Sequence, residues 1–193
     1  PYMILNQEKI QLLQQENEKK QQELSLFSQD FETDTSLTKF VWQNIPFKDL
    51  QYKPNDLVLL SGDFILDVKW NQTLRKEAFE NLDVLSKDFF QAFQISLPIV
   101  SAYRSYSYQA WIKSWGCNDI FCAKAGYSEH QTGLAIDIFE TTSEKAFLQK
   151  SDLQKYFTWM QENAYKYGFH NSYQKGTQID GYEIEPWHWR YLW

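Results

Sequence analysis

Residues 3–28 are rich in Gln, Glu and Lys, contain no Gly or Pro, and carry a thin apolar stripe at Leu5, Leu12, Leu13, Leu24 and Phe27. This pattern predicts a solvated spacer helix. The heptad is not sustained, which disfavours a self-associating coiled coil. Residues 30–72 read as connectors and short strands, because Pro46, Pro54 and Gly62 punctuate the apolar runs Leu57–Leu60 and Phe64–Val68. Over 73–94 the apolar positions Ala78, Leu82, Leu85 and Phe89 recur at helical spacing and predict a helix. The run Leu97–Ala102 predicts a buried strand that delivers Tyr103 and Arg104 at its end. Leu134–Phe139 predicts a second strand, with Leu134, Ile136 and Ile138 on one face and Ala135, Asp137 and Phe139 on the other. A second helix follows, with Ser151 and Gln154 as a capping box and Leu153, Phe157, Met160 and Ala164 as its buried face. Gly168 is its expected stop. A Trp/Tyr-rich strand around Glu185–Trp193 closes the chain. No internal repeat is visible. This order of elements fits an α+β domain over residues 31–193, preceded by a helical spacer over 1–30.

Composition narrows the function. With 43% hydrophobic and 18% aromatic residues, the 193-residue chain has enough apolar material for one sizeable core. The net charge of −6 and the absence of a Lys/Arg stripe argue against a nucleic-acid partner. No apolar run approaches the ~18 residues that span a membrane. The chain begins at Pro1, so a fragment of a longer product is expected. Cys117 and Cys122 lie in a loop-like stretch; a small disulfide and two free thiols are both open, and a metal site from this pair alone would lack two ligands.

Three histidines are present, His130, His170 and His188. Asp137 is the most informative residue, because a carboxylate in an apolar strand is costly unless it is paired or binds a metal. Taken alone, an ion pair with an arginine would account for it. Hydrolytic zinc takes three protein ligands from His and carboxylate and keeps one position open. His130, Asp137 and His188 supply such a set, with Glu185 near His188 as a candidate base. His170 has no carboxylate neighbour at ligand spacing. On a regular strand Glu185 and His188 would face opposite sides, so Pro186 is expected to break the pattern there.

Three runs carry a family resemblance: Ser101-Ala-Tyr-Arg-Ser-Tyr-Ser-Tyr-Gln109, Ser128-Glu-His-Gln-Thr-Gly-Leu-Ala-Ile-Asp137 and Gly181-Tyr-Glu-Ile-Glu-Pro-Trp-His-Trp-Arg-Tyr191. In content, order and spacing they resemble the VanY-type D-alanyl-D-alanine carboxypeptidases and their L,D-carboxypeptidase relatives, over about residues 50–193. The resemblance implies a hedgehog/DD-peptidase-like fold, a small antiparallel sheet flanked by helices. It implies zinc on His130, Asp137 and His188, Glu185 as general base, and Arg104 stabilising the oxyanion. Gln109 and Ser128 would help hold the terminal residue of the substrate. Arg104 as a surface cation, Gln109 as a solvated residue and Ser128 as a loop cap are the plainer alternatives.

The implied activity is removal of the terminal D-alanine from peptidoglycan stem peptides. The alternatives are an L,D-carboxypeptidase acting on tetrapeptide stems, a wall-binding module without catalysis, and a hedgehog-like partner-binding domain. The expected setting is the cell envelope, as a monomer, with membrane contact only through an anchor outside this chain. Two departures stand out. Relatives often carry Arg-Tyr-Pro after the Gly-Phe that follows the last helix, where this chain has His170-Asn-Ser-Tyr173-Gln. The Trp115–Cys122 stretch is an unusual cysteine-bearing loop at the expected rim of the site.

Overall fold

The computed structural model describes residues 41–139, 144–149 and 152–192, together with positions 15, 18 and 19. The fold below is that of the unit Phe40–Trp193. Positions 15, 18 and 19 are helical; the rest of the expected helix over 3–28, and Ser151 of the capping box, lie outside the described residues.

Strands β1 (Leu57–Leu59), β2 (Ile65–Asp67) and β3 (Thr73–Arg75) precede helix α1 (Lys76–Phe93). Strand β4 (Leu97–Ser101), helix α2 (Tyr106–Ser114), a 3-10 turn (Glu129–Thr132) and β5 (Ala135–Ile138) follow. Helices α3 (Lys145–Leu148) and α4 (Asp152–Asn163), a second 3-10 turn (Ala164–Tyr167), β6 (Phe169–Asn171) and β7 (His188–Tyr191) complete the described elements. Five strands form one sheet in the order β2-β4-β5-β7-β6, and β1 pairs with β3. The sheet is antiparallel except at its edge, where β2 runs parallel to β4. The architecture is α+β, as expected from the sequence.

The core follows the periodicity. Ala78, Leu82, Leu85 and Phe89 of α1 are fully buried, as are Leu97, Ile99, Ile136 and Ile138 of the central strands. Each of these Leu, Ile and Phe side chains contributes about 1.5–3 kcal/mol on burial. Phe139 ends β5 with a φ of 57° and stacks on Tyr156 of α4 at 4.8 Å, which clamps that helix to the sheet.

The expected helix start at residue 73 is corrected to 76. Thr73–Arg75 pair with β1, and Arg75 donates through Nε to Asp56 at 2.9 Å. The Arg75 amide is held by the Gly133 carbonyl at 2.8 Å. Gly133 is required there: its φ is +69°, and a Cβ would come within 2.9 Å of the Arg75 side chain. This close approach fixes the turn from the first 3-10 helix into β5, and so the spacing of His130 from Asp137. Gly168 adopts φ +77° at the end of the second 3-10 turn, which terminates the helical segment where the sequence places its stop.

Candidate active site

The sheet register builds the site. Antiparallel pairing sets Asp137 of β5 directly opposite His188 of β7. On the other side of β5, an irregularity in β4 between Ile99 and Ser101 puts Ser101 opposite Asp137. The bulge re-aims the strand end, and Ser101 Oγ accepts from Arg104 Nε at 2.7 Å. His130 enters from the 3-10 turn. One donor atom from each of His130, Asp137 and His188 lies within 4.8 Å of the others.

Each imidazole is held at its far nitrogen. His130 Nδ1 lies 2.7 Å from the Ala102 carbonyl. A carbonyl only accepts, so that nitrogen carries the proton and Nε2 faces Asp137 Oδ2, 3.2 Å away. His188 Nε2 lies 2.9 Å from Glu129 Oε2, so it donates there while Nδ1 faces Asp137 Oδ1 at 3.1 Å. Tyr173 stacks on the His188 ring at 4.7 Å.

The turn before β7 resolves the parity problem at Glu185. The His188 amide donates to the Glu185 carbonyl at 3.1 Å, closing a tight turn around Pro186. Asn171 Nδ2 bridges the Glu185 and His188 carbonyls at 2.8 and 2.7 Å. Both side chains then point the same way, with Glu185 Oε2 4.0 Å from His188 Nδ1.

Arg104 Nη2 donates to Asp137 Oδ2 at 2.6 Å. It is therefore no surface cation, and the ion pair that could explain the buried Asp137 is present beside the two histidines. Gln109 is buried, donates to the Ala123 carbonyl at 2.8 Å, and leaves its Oε1 without a partner. It is not a solvated residue. Ser128 is buried, precedes the 3-10 turn and makes no side-chain capping bond. All seven candidate residues line one cleft of about 450 Å³. His170 does not line it; it is exposed on β6.

Charge in the cleft is sharply divided. Burial opposes the Asp137 charge, but His130 and Arg104 overcome it and hold the carboxyl well below its ordinary range. Burial pushes the Glu185 carboxyl up to about 7 against the pull of His188. Burial and Arg104 draw His130 down to about 4. Burial alone would lower His188, yet its hydrogen bonds to Asp137 and Glu129 raise it to about 10. A cation held at His188 Nδ1 would take the place of a proton there.

Sequence reasoning missed Glu129. Its carboxylate is buried, accepts from Ser172 Oγ at 2.7 Å as well as from His188, and has Arg190 Nη1 3.6 Å away. Burial opposes its charge, and Arg190 and His188 hold its pKa at about 2. The signal available was an acidic residue adjoining His130, but its target lies 59 positions away. Such outer partners orient a ligating imidazole. Glu129→Gln is therefore expected to weaken zinc affinity roughly 10–100-fold while leaving the fold intact, measured by competition with a chromogenic chelator. Unchanged affinity would remove Glu129 from this role.

The departures from the family motif also land here: Ser172 bonds Glu129 and Tyr173 packs on His188. Cys117 and Cys122 form a disulfide with Cα atoms 5.8 Å apart. Lys113 Nζ donates to both cysteine carbonyls and pairs with Asp119 at 2.6 Å, fixing the loop at the cleft rim. So short a loop stabilises little. Cys117→Ser with Cys122→Ser should lower unfolding free energy by about 2 kcal/mol, on the chain-entropy scale, checked by urea unfolding. A loss several times larger would show that the bridge holds more than its own loop.

A family model described as VanY: D-alanyl-D-alanine carboxypeptidase matches residues 71–193. The chain belongs to that family. It is 37% identical over 161 residues to YodJ of Bacillus subtilis strain 168, provisionally named a carboxypeptidase, covering 73% of this chain and 55% of that one. It is 31% identical over 136 residues to a D-alanyl-D-alanine carboxypeptidase of Enterococcus faecium, covering 69% and 42%. The chain thus spans about half the length of these curated relatives. Among solved structures, the LD-carboxypeptidase LdcB is 32% identical with a TM-score of 0.67, over 83% of this chain and 78% of that one. A D,D-pentapeptidase VanY from a VanB-type resistance cassette, in complex with Zn(II), shares the fold at 24% identity and a TM-score of 0.59, over 82% and 89%.

Proposed function

We propose that this chain is a zinc-dependent D-alanyl-D-alanine carboxypeptidase that removes the terminal D-alanine from peptidoglycan stem peptides. The observation that carries the reading is the meeting of His130, Asp137 and His188 in one cleft with Glu185 beside them. The donor set fits zinc: two imidazoles and a carboxylate, each imidazole held at its other nitrogen. His130 Nε2, an Asp137 oxygen and His188 Nδ1 would hold the ion. Bound there, zinc supplies Lewis acidity that polarises a carbonyl and acidifies water.

The residues then divide the work of hydrolysis, in which water forms the new C–O bond and the C–N bond breaks. Glu185 takes a proton from the attacking water and returns one to the departing amine. Arg104 turns guanidinium donors toward the oxygen on which charge develops. Gln109 and Ser128 hold the terminal residue against the cleft wall. A binding module without catalysis has no use for Glu185 at this position.

The likeness to LdcB favours one second reading, trimming of tetrapeptide stems by the same machinery. Mass spectrometry of purified pentapeptide and tetrapeptide muropeptides after incubation with zinc-loaded protein tests both. Loss of D-alanine from pentapeptides supports the first reading and loss from tetrapeptides alone supports the second. Loss from neither would overturn the enzymatic assignment.

Such a substrate fits action outside the cytoplasmic membrane; on the same reading the protein works as a monomer, with residues 1–30 as a spacer ahead of the domain over 31–193. No helix among the described residues is long and apolar enough to cross a membrane.

A further inference from the structure

Helix α2 presents two unlike faces. Gln109 is buried against the cleft wall. On another face Tyr108, Trp111 and Trp115 form a ladder at spacings of three and four. Tyr108 stacks on Trp111 at 5.7 Å, and Trp111 meets Trp115 edge-on at 5.3 Å. The three side chains are 42%, 54% and 75% exposed. Three adjoining exposed aromatic rings are an unusual surface for a protein to leave open to water unless a ligand covers it.

At each end of the ledge lies a groove that shares a lining residue with the cleft. A groove of about 310 Å³ lined by Tyr108, Asn71 and Gln72 shares Arg104 with the cleft. A second, of about 440 Å³ between Trp111, Trp115 and the disulfide, shares Cys122 with it. Open ring faces beside amide side chains suit a ligand with both C–H and hydroxyl surfaces. A pyranose offers both: its C–H face carries partial positive charge and packs on the negative face of an aromatic ring.

Reach gives the same answer. A stem of four or five residues extends at most about 13–18 Å. With its C-terminus in the cleft, its sugar-bearing end would lie beyond the cleft mouth, where the grooves bordering the ledge share Arg104 and Cys122 with the cleft. A bilayer suits the surface less well. Lys113 beside the ledge is tied to Asp119, which leaves Lys69 in the groove at the Tyr108 end as a single further lysine, and the chain carries a net charge of −6, which anionic lipid repels.

We propose that Tyr108, Trp111 and Trp115 form a glycan subsite that stacks the N-acetylated amino-sugar strand bearing the stem; the assignment rests on the wall-peptidase reading above. Trp111→Ala with Trp115→Ala tests it, since neither residue belongs to the catalytic machinery. Calorimetry with an N-acetylglucosamine tetramer and with peptide-free glycan strands should show binding by the unaltered protein. The variant should bind roughly tenfold or more weakly, as the loss of two stacking rings implies. On pentapeptide still linked to glycan strands, KM should rise by a similar factor; on the free pentapeptide, kcat and KM should be unchanged. Absence of glycan binding in the unaltered protein, or equal effects on both substrates, would overturn the proposal. So would ring-dependent binding to phosphatidylglycerol vesicles, or ring-dependent dimerisation, without glycan binding. If neither peptide substrate is cleaved, the peptidase reading fails, and glycan binding still decides the ledge.

Discussion

Glu185→Ala should keep the fold and one zinc per chain and lose roughly 10²–10⁴-fold in hydrolysis, the usual contribution of a positioned acid–base group. The side chain is held between constraints that do not depend on its carboxylate. Its backbone amide donates to the Tyr173 carbonyl at 3.0 Å and its carbonyl receives Asn171, so the turn survives truncation. The carboxyl is 12% exposed and faces the cleft. Burial pushes its pKa up to about 7, which suits a group that must both take and give a proton near neutrality. The two carboxylates that act on it electrostatically are already engaged. Glu129 is committed to His188 and Ser172, and Asp137 to Arg104 and both histidines. Turnover on a pentapeptide muropeptide, with zinc content and circular dichroism measured on the same sample, decides the matter. Near-normal turnover would place the base elsewhere.

Where a residue's neighbours lie close in sequence, the chain was readable. The spacing of Ala78, Leu82, Leu85 and Phe89 marks a helix because one face is buried against a continuous core. Asp137 stood out because it interrupts an apolar strand. Helix α2 escaped notice for the opposite reason: Tyr108, Trp111 and Trp115 repeat with helical period but face outward, so periodicity no longer reports the core. The 3-10 turn Glu129–Thr132 escaped because it is polar and buried at once, and its stability comes from partners far along the chain. The convergence of Glu185 with His188 depends on a turn pinned by Asn171. Strand pairing could not foretell it, since that asparagine binds one carbonyl in the turn and one at the start of β7.

His188→Ala should abolish zinc binding at micromolar zinc, leaving near-zero metal per chain by elemental analysis and no measurable hydrolysis. A three-ligand site that loses one imidazole keeps two donors, too few to hold the ion against water. The substitution also strips Glu129 and Asp137 of a shared buried partner. A buried charge left wholly unpaired costs about 3–5 kcal/mol; here the penalty should be smaller, because Arg190 stays beside Glu129 and Arg104 beside Asp137. The variant should therefore melt at a lower temperature yet remain folded. His130→Ala removes a donor without touching Glu129, so it keeps the test valid should His188→Ala fail to fold. His170→Ala should retain both metal and activity, since that ring stands exposed on β6, away from the cleft. Chelation of the unaltered protein should mimic the ligand variants, with activity restored on adding zinc. Full zinc content in folded His188→Ala or His130→Ala protein would sink the ligand assignment.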